Sequence, residues 1–239
     1  MSGHSKWATT KRKKAAVDAK RSASFTKLAN AISIAARDGG DPSMNFSLRL
    51  AVDRAKAASM PKENIERAIK RGTGELGGAA IEEIIYEGYG PGGVAILIQC
   101  LTDNRQRTVA SIRSLFNKFG GSLAEAGSVA YLFEKRGQII VNLSDIDLGQ
   151  EELEMAILES GADDYENDDG VYVIYTSFDN VAAVSKNLED AGAKIDSLEI
   201  IHQPKTTISV SEEKITSVEK LIEVLESDDD IVNVYANMD

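Results

Sequence analysis

The chain reads IEEIIYEGYGPGGVAILIQCLT from Ile81 to Thr102, a pattern that predicts two β-strands joined by a turn at Gly88 to Gly93. Gly and Pro favour tight turns, and the flanking residues are rich in Ile, Val and Tyr, which favour strands. The glycines could instead cradle a phosphate, but the segment lacks the Lys-Ser/Thr pair of a P-loop and the strand-to-helix placement of a dinucleotide-binding turn. The segment therefore predicts a β-hairpin.

Helices and strands alternate after this hairpin. A helix is predicted from about Arg105 to Phe119, and a strand from Val129 to Phe133. The following elements have the strand, helix, strand, strand, helix, strand order of the split βαβ, ferredoxin-like motif. They are predicted at Ile139 to Leu143, Leu148 to Ser160, around Tyr165, Val171 to Tyr175, Asn180 to Ala191 and Lys194 to Ile201.

The last part of the chain predicts a strand at Thr206 to Val210, a helix at Glu212 to Glu226 and a strand in IVNVYA. A segment of this length is too short to bury a core of its own. We therefore expect it to complete the sheet that begins at residue 81. The acidic run Asp228 to Asp230 is predicted to be a turn ahead of the final strand.

Three helices are predicted ahead of the hairpin. Apolar residues recur at helical spacing from Phe25 to Ala36, in SLRLAVDRAKAAS, and again after Pro61. Gly39-Gly40 ends the first helix, and Pro61 suits the first turn of the third. The residues GTGELGGA, 72–79, predict a linker.

These elements predict an α+β protein of three domains, which a length of 239 residues allows. Residues 1–75 are expected to form an N-terminal helical bundle that carries a flexible basic arm. Residues 80–136 and 204–239 are expected to form a central α/β domain. Residues 137–203 are expected to form an acidic, ferredoxin-like domain inserted into the central one.

The N-terminal arm is strongly basic. Its residues 3–21, GHSKWATTKRKKAAVDAKR, hold seven Lys/Arg and one acidic residue. Lys and Arg neutralise phosphates and release condensed counterions, so such a segment is typical of a nucleic-acid contact. Trp7, the only tryptophan, either stacks on a base or anchors the arm on the helical domain. A solvated tail without a ligand is the alternative interpretation.

Charge is strongly segregated along the chain, although the net charge is −11. Residues 1–75 carry 16 basic and 7 acidic groups, whereas residues 137–239 carry 5 basic and 25 acidic groups. Because the Debye length is only ~8 Å at physiological salt, a distant acidic domain barely weakens the field around the basic end. The segregation therefore predicts that the basic end faces phosphate.

Several functional classes are disfavoured by the sequence. The longest apolar run, Val94 to Ile98, is far shorter than a membrane-spanning helix, and no signal peptide is evident, so a cytoplasmic protein is expected. Cys100 is the only cysteine and is expected to pack inside a strand. His4 and His202 are far apart, and GADDYENDDG does not fit the register of an EF-hand. No catalytic residue, metal site or cofactor is therefore expected, and the protein is interpreted as a non-enzyme.

Six motifs resemble those of the YebC family. In chain order they are GHSKW, FTKLA, MPKENIERAIKRGTG, YEGYGPGG, LTDNRQRTVA and GSVAYLFEKRG. Together they span nearly the whole chain. The resemblance implies a three-domain, non-enzymatic protein, and bacterial members are described as probable transcriptional regulators that bind DNA. It also implies a second possibility, because mitochondrial relatives are translational activators and some bacterial members resemble ribosome-associated elongation helpers.

The sequence therefore predicts a nucleic-acid-binding regulator, with a DNA-binding transcriptional regulator as the leading hypothesis. A ribosome-associated translation factor that contacts ribosomal RNA is the alternative, and a protein-interaction scaffold is a third. No obvious recognition helix directs Asn, Gln and Arg toward base edges, so intrinsic DNA sequence specificity is not expected. The predicted nucleic-acid-binding residues are Lys6, Trp7, Lys11, Arg12, Lys13, Lys14, Lys20, Arg21, Lys27, Arg67, Lys70 and Arg71.

Overall fold

The protein is a mixed α+β protein in a computed structural model that describes residues 24–77 and 80–239. Within those residues there are seven α-helices and two four-stranded sheets, as the α+β prediction requires. The described chain divides into two units. One runs to Phe133 and resumes at Pro204–Asp239, and the other is Glu134–Gln203.

Three helices begin the first unit: α1 (Phe25–Ala35), α2 (Phe46–Ala57) and α3 (Lys62–Gly72). The side chain of Asn45 caps α2 by accepting a hydrogen bond from the Leu48 N–H at 3.0 Å, which satisfies one of the free donors at the helix start. Apolar residues from all three helices bury one another. This core comprises Leu28, Ile32, Ala36, Leu48, Val52, Ala55, Met60, Ile65 and Ala68. All three predicted helices are confirmed.

Small residues let α1 and α3 approach closely. Ser33 of α1 donates a hydrogen bond from its hydroxyl to the carbonyl oxygen of Ala68 at 2.8 Å. A Cβ placed on Gly72 would lie 2.7 Å from the Cβ of Ala36 and would also overlap the carbonyl of Ser33. Gly72 is therefore required by contact between two backbones, and not by a turn conformation.

The substitution Gly72→Ala is expected to lower the free energy of unfolding by about 1–3 kcal/mol, because overpacking forces backbone shifts. The gain of Ala over Gly in a helix, ~0.5–1 kcal/mol, is too small to offset it. Gly77→Ala is the matched control, since a Cβ there meets nothing within 4 Å. Urea unfolding monitored by circular dichroism measures both variants, and equal stability of the two would contradict the prediction.

The first sheet consists of β1 (Glu82–Tyr89), β2 (Ala95–Thr102), β3 (Ser122–Leu123) and β8 (Ile231–Ala236). The order of these strands across the sheet is β3-β1-β2-β8. The helices of this part are α4 (Arg105–Lys118) and α7 (Glu212–Glu226). β1 and β2 pair antiparallel from Glu82↔Thr102 to Tyr89↔Ala95, as the hairpin prediction requires. β8 pairs antiparallel with β2, so the last part of the chain completes this sheet as expected. Its core joins β2 and β8 to α4 and α7 through residues such as Ile98, Phe116, Leu221 and Val234.

Two predicted strands of this unit are wrong. Residues Ala130–Leu132 form a 3₁₀ turn, and a strand starts only at Phe133. The reason is that the N–H groups of Val129 and Ala130 donate hydrogen bonds to the side chain of Glu87 and not to a neighbouring strand. Residues 206–210 provide a single parallel bridge between Ile208 and Met238, because the preceding strand still occupies the chain up to Pro204.

The second unit alternates β4 (Phe133–Asn142), α5 (Gln150–Glu159), β5 (Asp164–Asp168), β6 (Val171–Ser177), α6 (Val181–Asp190) and β7 (Ile195–Pro204). Its sheet has the order β5-β6-β4-β7, and β6 pairs antiparallel with both β4 and β5. The element order is the one predicted from the sequence. Asp169 and Gly170 both have positive φ (52° and 84°), as the two-residue hairpin turn between β5 and β6 demands. GADDYENDDG is therefore a hairpin.

Candidate nucleic-acid interface

The predicted contacts of the N-terminal arm lie outside the described residues. These are Lys6, Trp7, Lys11, Arg12, Lys13, Lys14, Lys20 and Arg21. The remaining four, Lys27, Arg67, Lys70 and Arg71, lie on α1 and α3. The structure brings these four into different surroundings.

Lys27 is turned inward, onto the C-terminal end of α7. Its Nζ donates a hydrogen bond to the carbonyl oxygen of Glu226 at 2.6 Å, where a helix C-terminus attracts a cation. Burial lowers the pKa of the Lys27 ammonium, although the negative charges of Glu226, Asp229 and Asp228 oppose that change. Lys27 is therefore occupied by a contact within the protein.

The start of α1 is bonded to the residues that follow α7. Ser24, the N-cap of α1, accepts a hydrogen bond from the Lys27 N–H at 3.4 Å and donates one from its hydroxyl to Asp229 Oδ1 at 2.8 Å. Farther along α1, the Asn30 amide donates to the carbonyl of Leu101 at 3.3 Å. Helix α1 is thus held both by the turn between α7 and β8 and by the end of β2.

The predicted turn at Asp228 to Asp230 is confirmed, and its side chains also bind residues of α4. Arg107 of α4 makes hydrogen bonds from Nη2 to both carboxylate oxygens of Asp230, at 3.0 and 2.9 Å. The hydroxyl of Thr108 donates to Asp230 Oδ2 at 2.8 Å, and the hydroxyl of Ser111 donates to Asp228 Oδ2 at 2.8 Å. The three aspartates therefore join α1, α4 and β8, and Arg107 is committed to this structural network.

Helix α3 carries the basic residues that face solvent. Arg67 is exposed and donates a hydrogen bond from Nη2 to Asn64 Oδ1 at 3.0 Å. Lys70, one turn later, is exposed, and its ammonium has no hydrogen bond or ion pair in the part of the chain that the structure describes. Arg71 is half-buried, with Nη2 3.9 Å from Asp103 Oδ2. Arg67 and Lys70 are therefore the predicted residues of α3 best placed to meet an external anion.

A cleft of about 310 Å³ lies beside Arg71, between α1, α3 and the start of β1. Arg37 also lines it and donates a hydrogen bond from its guanidinium to the carbonyl of Ile81. Nothing in the local sequence distinguishes Arg37 from other surface arginines, so the sequence does not predict its place at this cleft. Two guanidinium groups therefore border one cleft, but each already has a partner within the protein.

The described residues hold neither a group of metal-ligating side chains nor a reactive thiol. No group of His, Cys, Asp and Glu among residues 24–77 and 80–239 is arranged to hold a metal ion. Cys100 is fully buried, and burial together with the charges of Asp228 and Asp230 raises the pKa of its thiol to about 12, so it is unreactive at neutral pH. None of the helices in these residues has the length and apolar character needed to span a bilayer.

Comparison with known proteins gives a match along nearly the whole chain. Residues 5–75 match a family model described as TACO1/YebC protein N-terminal domain, and residues 81–238 match one described as TACO1/YebC second and third domain. A probable transcriptional regulatory protein of Caldanaerobacter subterraneus subsp. tengcongensis is 50% identical, over 100% of this chain and 98% of the relative. A protein of the same description from Geobacter sulfurreducens is also 50% identical, over 100% of this chain and 96% of the relative.

A solved structure is similar to most of the chain. The crystal structure of a conserved hypothetical protein from Aquifex aeolicus superposes with a TM-score of 0.83 at 44% sequence identity. It covers 90% of this chain, and the match covers 88% of the Aquifex chain. The arrangement of helices and sheets is thus one that an experimental structure also contains.

Proposed function

The chain belongs to the TACO1/YebC family, and from that premise we propose that it is a non-enzymatic regulator that binds nucleic acid through its basic N-terminal part. The names of its relatives support a regulatory role in transcription. The observation that carries the proposal is the segregation of charge, with 16 basic and 7 acidic groups in residues 1–75 of a protein whose net charge is −11.

The proposed interface combines the arm with one face of α3. Seven arm cations, Lys6, Lys11, Arg12, Lys13, Lys14, Lys20 and Arg21, supply most of the charge. Arg67 and Lys70 extend it, because both are exposed. Lys27 and Arg71 are assigned to internal contacts in this proposal, since the first bonds the Glu226 carbonyl and the second lies near Asp103.

The fixed start of α1 supports this arrangement. Ser24 bonds Asp229 and Lys27 bonds the carbonyl of Glu226, so Ser24, the first described residue, lies at a defined place on the folded body. Glu226 and the three aspartates make that place acidic. Phosphate is repelled there, so we expect contacts to begin several residues before Ser24, where the basic run lies.

The proposed contacts position the protein without reading a sequence. Phosphate contacts fix orientation on a nucleic acid but carry no base information. On α3, the side chains of Lys62 and Glu66 pair with each other at 3.7 Å, and Arg67 is bonded to Asn64. These pairings leave few side chains for base edges, so we expect weak discrimination between DNA sequences.

That expectation favours the second candidate, a ribosome-associated translation factor that contacts ribosomal RNA. Residues 137–239 carry 25 acidic and 5 basic groups, which suits contact with basic ribosomal proteins. The three-domain division, at residues 1–75, 80–136 with 204–239, and 137–203, is part of both proposals. In each of them the helical domain contacts nucleic acid and the acidic domain does not.

A salt titration tests the shared proposal. If about six phosphates are engaged, the affinity of the full chain for DNA or RNA should fall ~10³-fold between about 50 and 200 mM salt, because each contact releases counterions. A flat salt response would contradict it. Co-sedimentation with ribosomes at high salt would select the translation factor, and a discrete footprint on promoter DNA amid excess competitor would select the transcriptional regulator.

A further inference from the structure

Tyr131 is a large side chain that the fold leaves in solvent. It exposes 65% of its surface, whereas its near neighbours Val129 and Phe133 are 0% and 6% exposed. Tyr172 and Tyr175, on β6, are almost fully buried. The side chain therefore presents a flat, mostly apolar ring and a hydroxyl to solvent, the two features by which tyrosine binds a partner at a surface.

The turn that carries Tyr131 is held unusually firmly. The buried carboxylate of Glu87, on β1, accepts hydrogen bonds from three backbone N–H groups of the turn: Gly127 at 2.6 Å, Val129 at 2.6 Å and Ala130 at 2.7 Å. The hydroxyl of Tyr89 adds a fourth, to the carbonyl of Ser128 at 3.1 Å. The ring of Tyr131 therefore projects from a fixed backbone, and binding on it costs little conformational entropy.

A cation lies beside the same turn. The backbone N–H of Lys205 donates a hydrogen bond to the carbonyl of Leu132 at 2.8 Å, so the backbone of Lys205 lies beside the residue that follows Tyr131. Lys205 is exposed, and its ammonium has no partner in the ranges 24–77 and 80–239. Glu125, on the same turn, offsets some of this charge, so the ring must supply most of any binding energy.

An exposed aromatic ring with a neighbouring lysine is the combination that single-stranded nucleic acids require. Each unpaired base offers a flat face for stacking, and the adjacent phosphate accepts a cation. A duplex conceals the faces of its bases. We propose that Tyr131 stacks on an unpaired base of a single-stranded segment while Lys205 meets its phosphate. This inference rests on the proposed function and adds a second contact, remote in sequence from the basic arm.

Binding of the full chain to three fluorescent 12-mers tests the inference: single-stranded RNA, single-stranded DNA of the same sequence, and blunt duplex DNA. Tyr131→Ala should weaken binding to one or both single strands roughly 5- to 150-fold, the range that corresponds to loss of one stacking partner. Duplex affinity and the salt slope should not change, because no charge is removed. Tyr131→Phe should restore binding, since its ring still stacks.

Lys205→Ala should behave differently from Tyr131→Ala. It removes one phosphate contact, so the salt slope on single strands should fall by about 0.7. Leu158→Ala is the matched control for loss of an exposed apolar group, since Leu158 is 67% exposed. It should bind all three probes like the unsubstituted protein.

The outcomes separate this inference from the proposed function. If Tyr131→Ala loses affinity for RNA alone, RNA is the ligand of this contact. If it loses affinity equally for both single strands, the contact accepts any unpaired base. If Tyr131→Ala binds single strands normally while the unsubstituted protein shows its salt-dependent binding, the inference is wrong and the proposed function stands; a protein contact at Tyr131 would give that result. Equal losses on duplex and single strands also overturn it. If the unsubstituted protein binds no probe, both fail.

Discussion

Reversing four charges of the arm, by Lys11→Glu, Arg12→Glu, Lys13→Glu and Lys14→Glu together, is expected to weaken nucleic-acid binding about 10³-fold at ~0.15 M salt. Each phosphate contact contributes about 0.9 to the slope of log affinity against log salt on a B-form duplex. Loss of four contacts therefore lowers the slope by about 3.6. The expected change in log affinity is this slope change multiplied by the logarithm of the molar salt concentration. Fluorescence anisotropy with a labelled duplex, repeated at several salt concentrations, gives both quantities.

A quadruple variant of equal charge change controls for net charge. Lys186, Lys194, Lys214 and Lys220 are all exposed and lie in the acidic half of the chain. Their reversal to glutamate changes the net charge by the same amount, and we expect a loss of less than about tenfold, because none of them is a proposed phosphate contact. Equal losses in the two variants would mean that overall charge, and not the arm, governs binding.

The fold of the arm variant should be intact, because the described residues from Leu28 to Ala68 already supply an apolar core for the three helices. Thermal unfolding should therefore give the same midpoint within about 1 °C. An arm variant that is folded and yet retains full affinity would contradict the proposed interface and leave α3 as the remaining candidate.

Much of the fold could be predicted because its signals are local. β2 is an almost continuous buried run from Ala95 to Leu101, and α1 repeats its apolar residues at helical spacing. The strand at Val129 to Phe133 failed for a non-local reason. Its residues have strand propensity, but Glu87 binds their N–H groups, and Glu87 lies 42 residues earlier in the chain than Val129. A carboxylate this far away is invisible to any pattern within the segment.

The candidate site was harder to predict than the fold. A lysine in a basic stretch resembles its neighbours in sequence, yet Lys27 reaches Glu226, 199 residues away. Arg107 likewise looks like a surface cation but binds Asp230, 123 residues away. Charge composition shows which part of the chain is basic. Only the three-dimensional contacts show which cations remain available for a ligand. On α3, Arg71 lies near Asp103, whereas the ammonium of Lys70 has no partner among the described residues.

Replacing Glu87 by alanine is expected to lower the free energy of unfolding by about 3–5 kcal/mol. The side chain is 5% exposed, and its removal leaves the N–H groups of Gly127, Val129 and Ala130 without an acceptor. An unsatisfied buried donor costs about 1–3 kcal/mol, and partial movement of the turn toward water reduces the sum. Glu87→Gln should cost less, about 1–3 kcal/mol, because its one oxygen still accepts while its NH₂ group faces a donor.

The pH dependence identifies the carboxylate as the cause of this stability. Burial raises the pKa of Glu87, but the three backbone donors outweigh burial and hold the pKa below its usual value of 4.5. A lowered pKa in the folded state contributes stability that is present above the pKa of the unfolded chain and lost as the pH falls through the folded value.

The stability difference between the unsubstituted protein and Glu87→Gln should therefore be largest near pH 7 and shrink below about pH 4. Glu83→Gln is the control on the same strand, since Glu83 is exposed and its carboxylate accepts a hydrogen bond from the Gln99 amide at 2.8 Å. It should change stability by less than about 0.5 kcal/mol at every pH. A difference for Glu87→Gln that is constant from pH 3 to pH 8 would show that side-chain shape, and not charge, holds the turn. In that case Tyr131 would still project from a fixed backbone, but one fixed by packing.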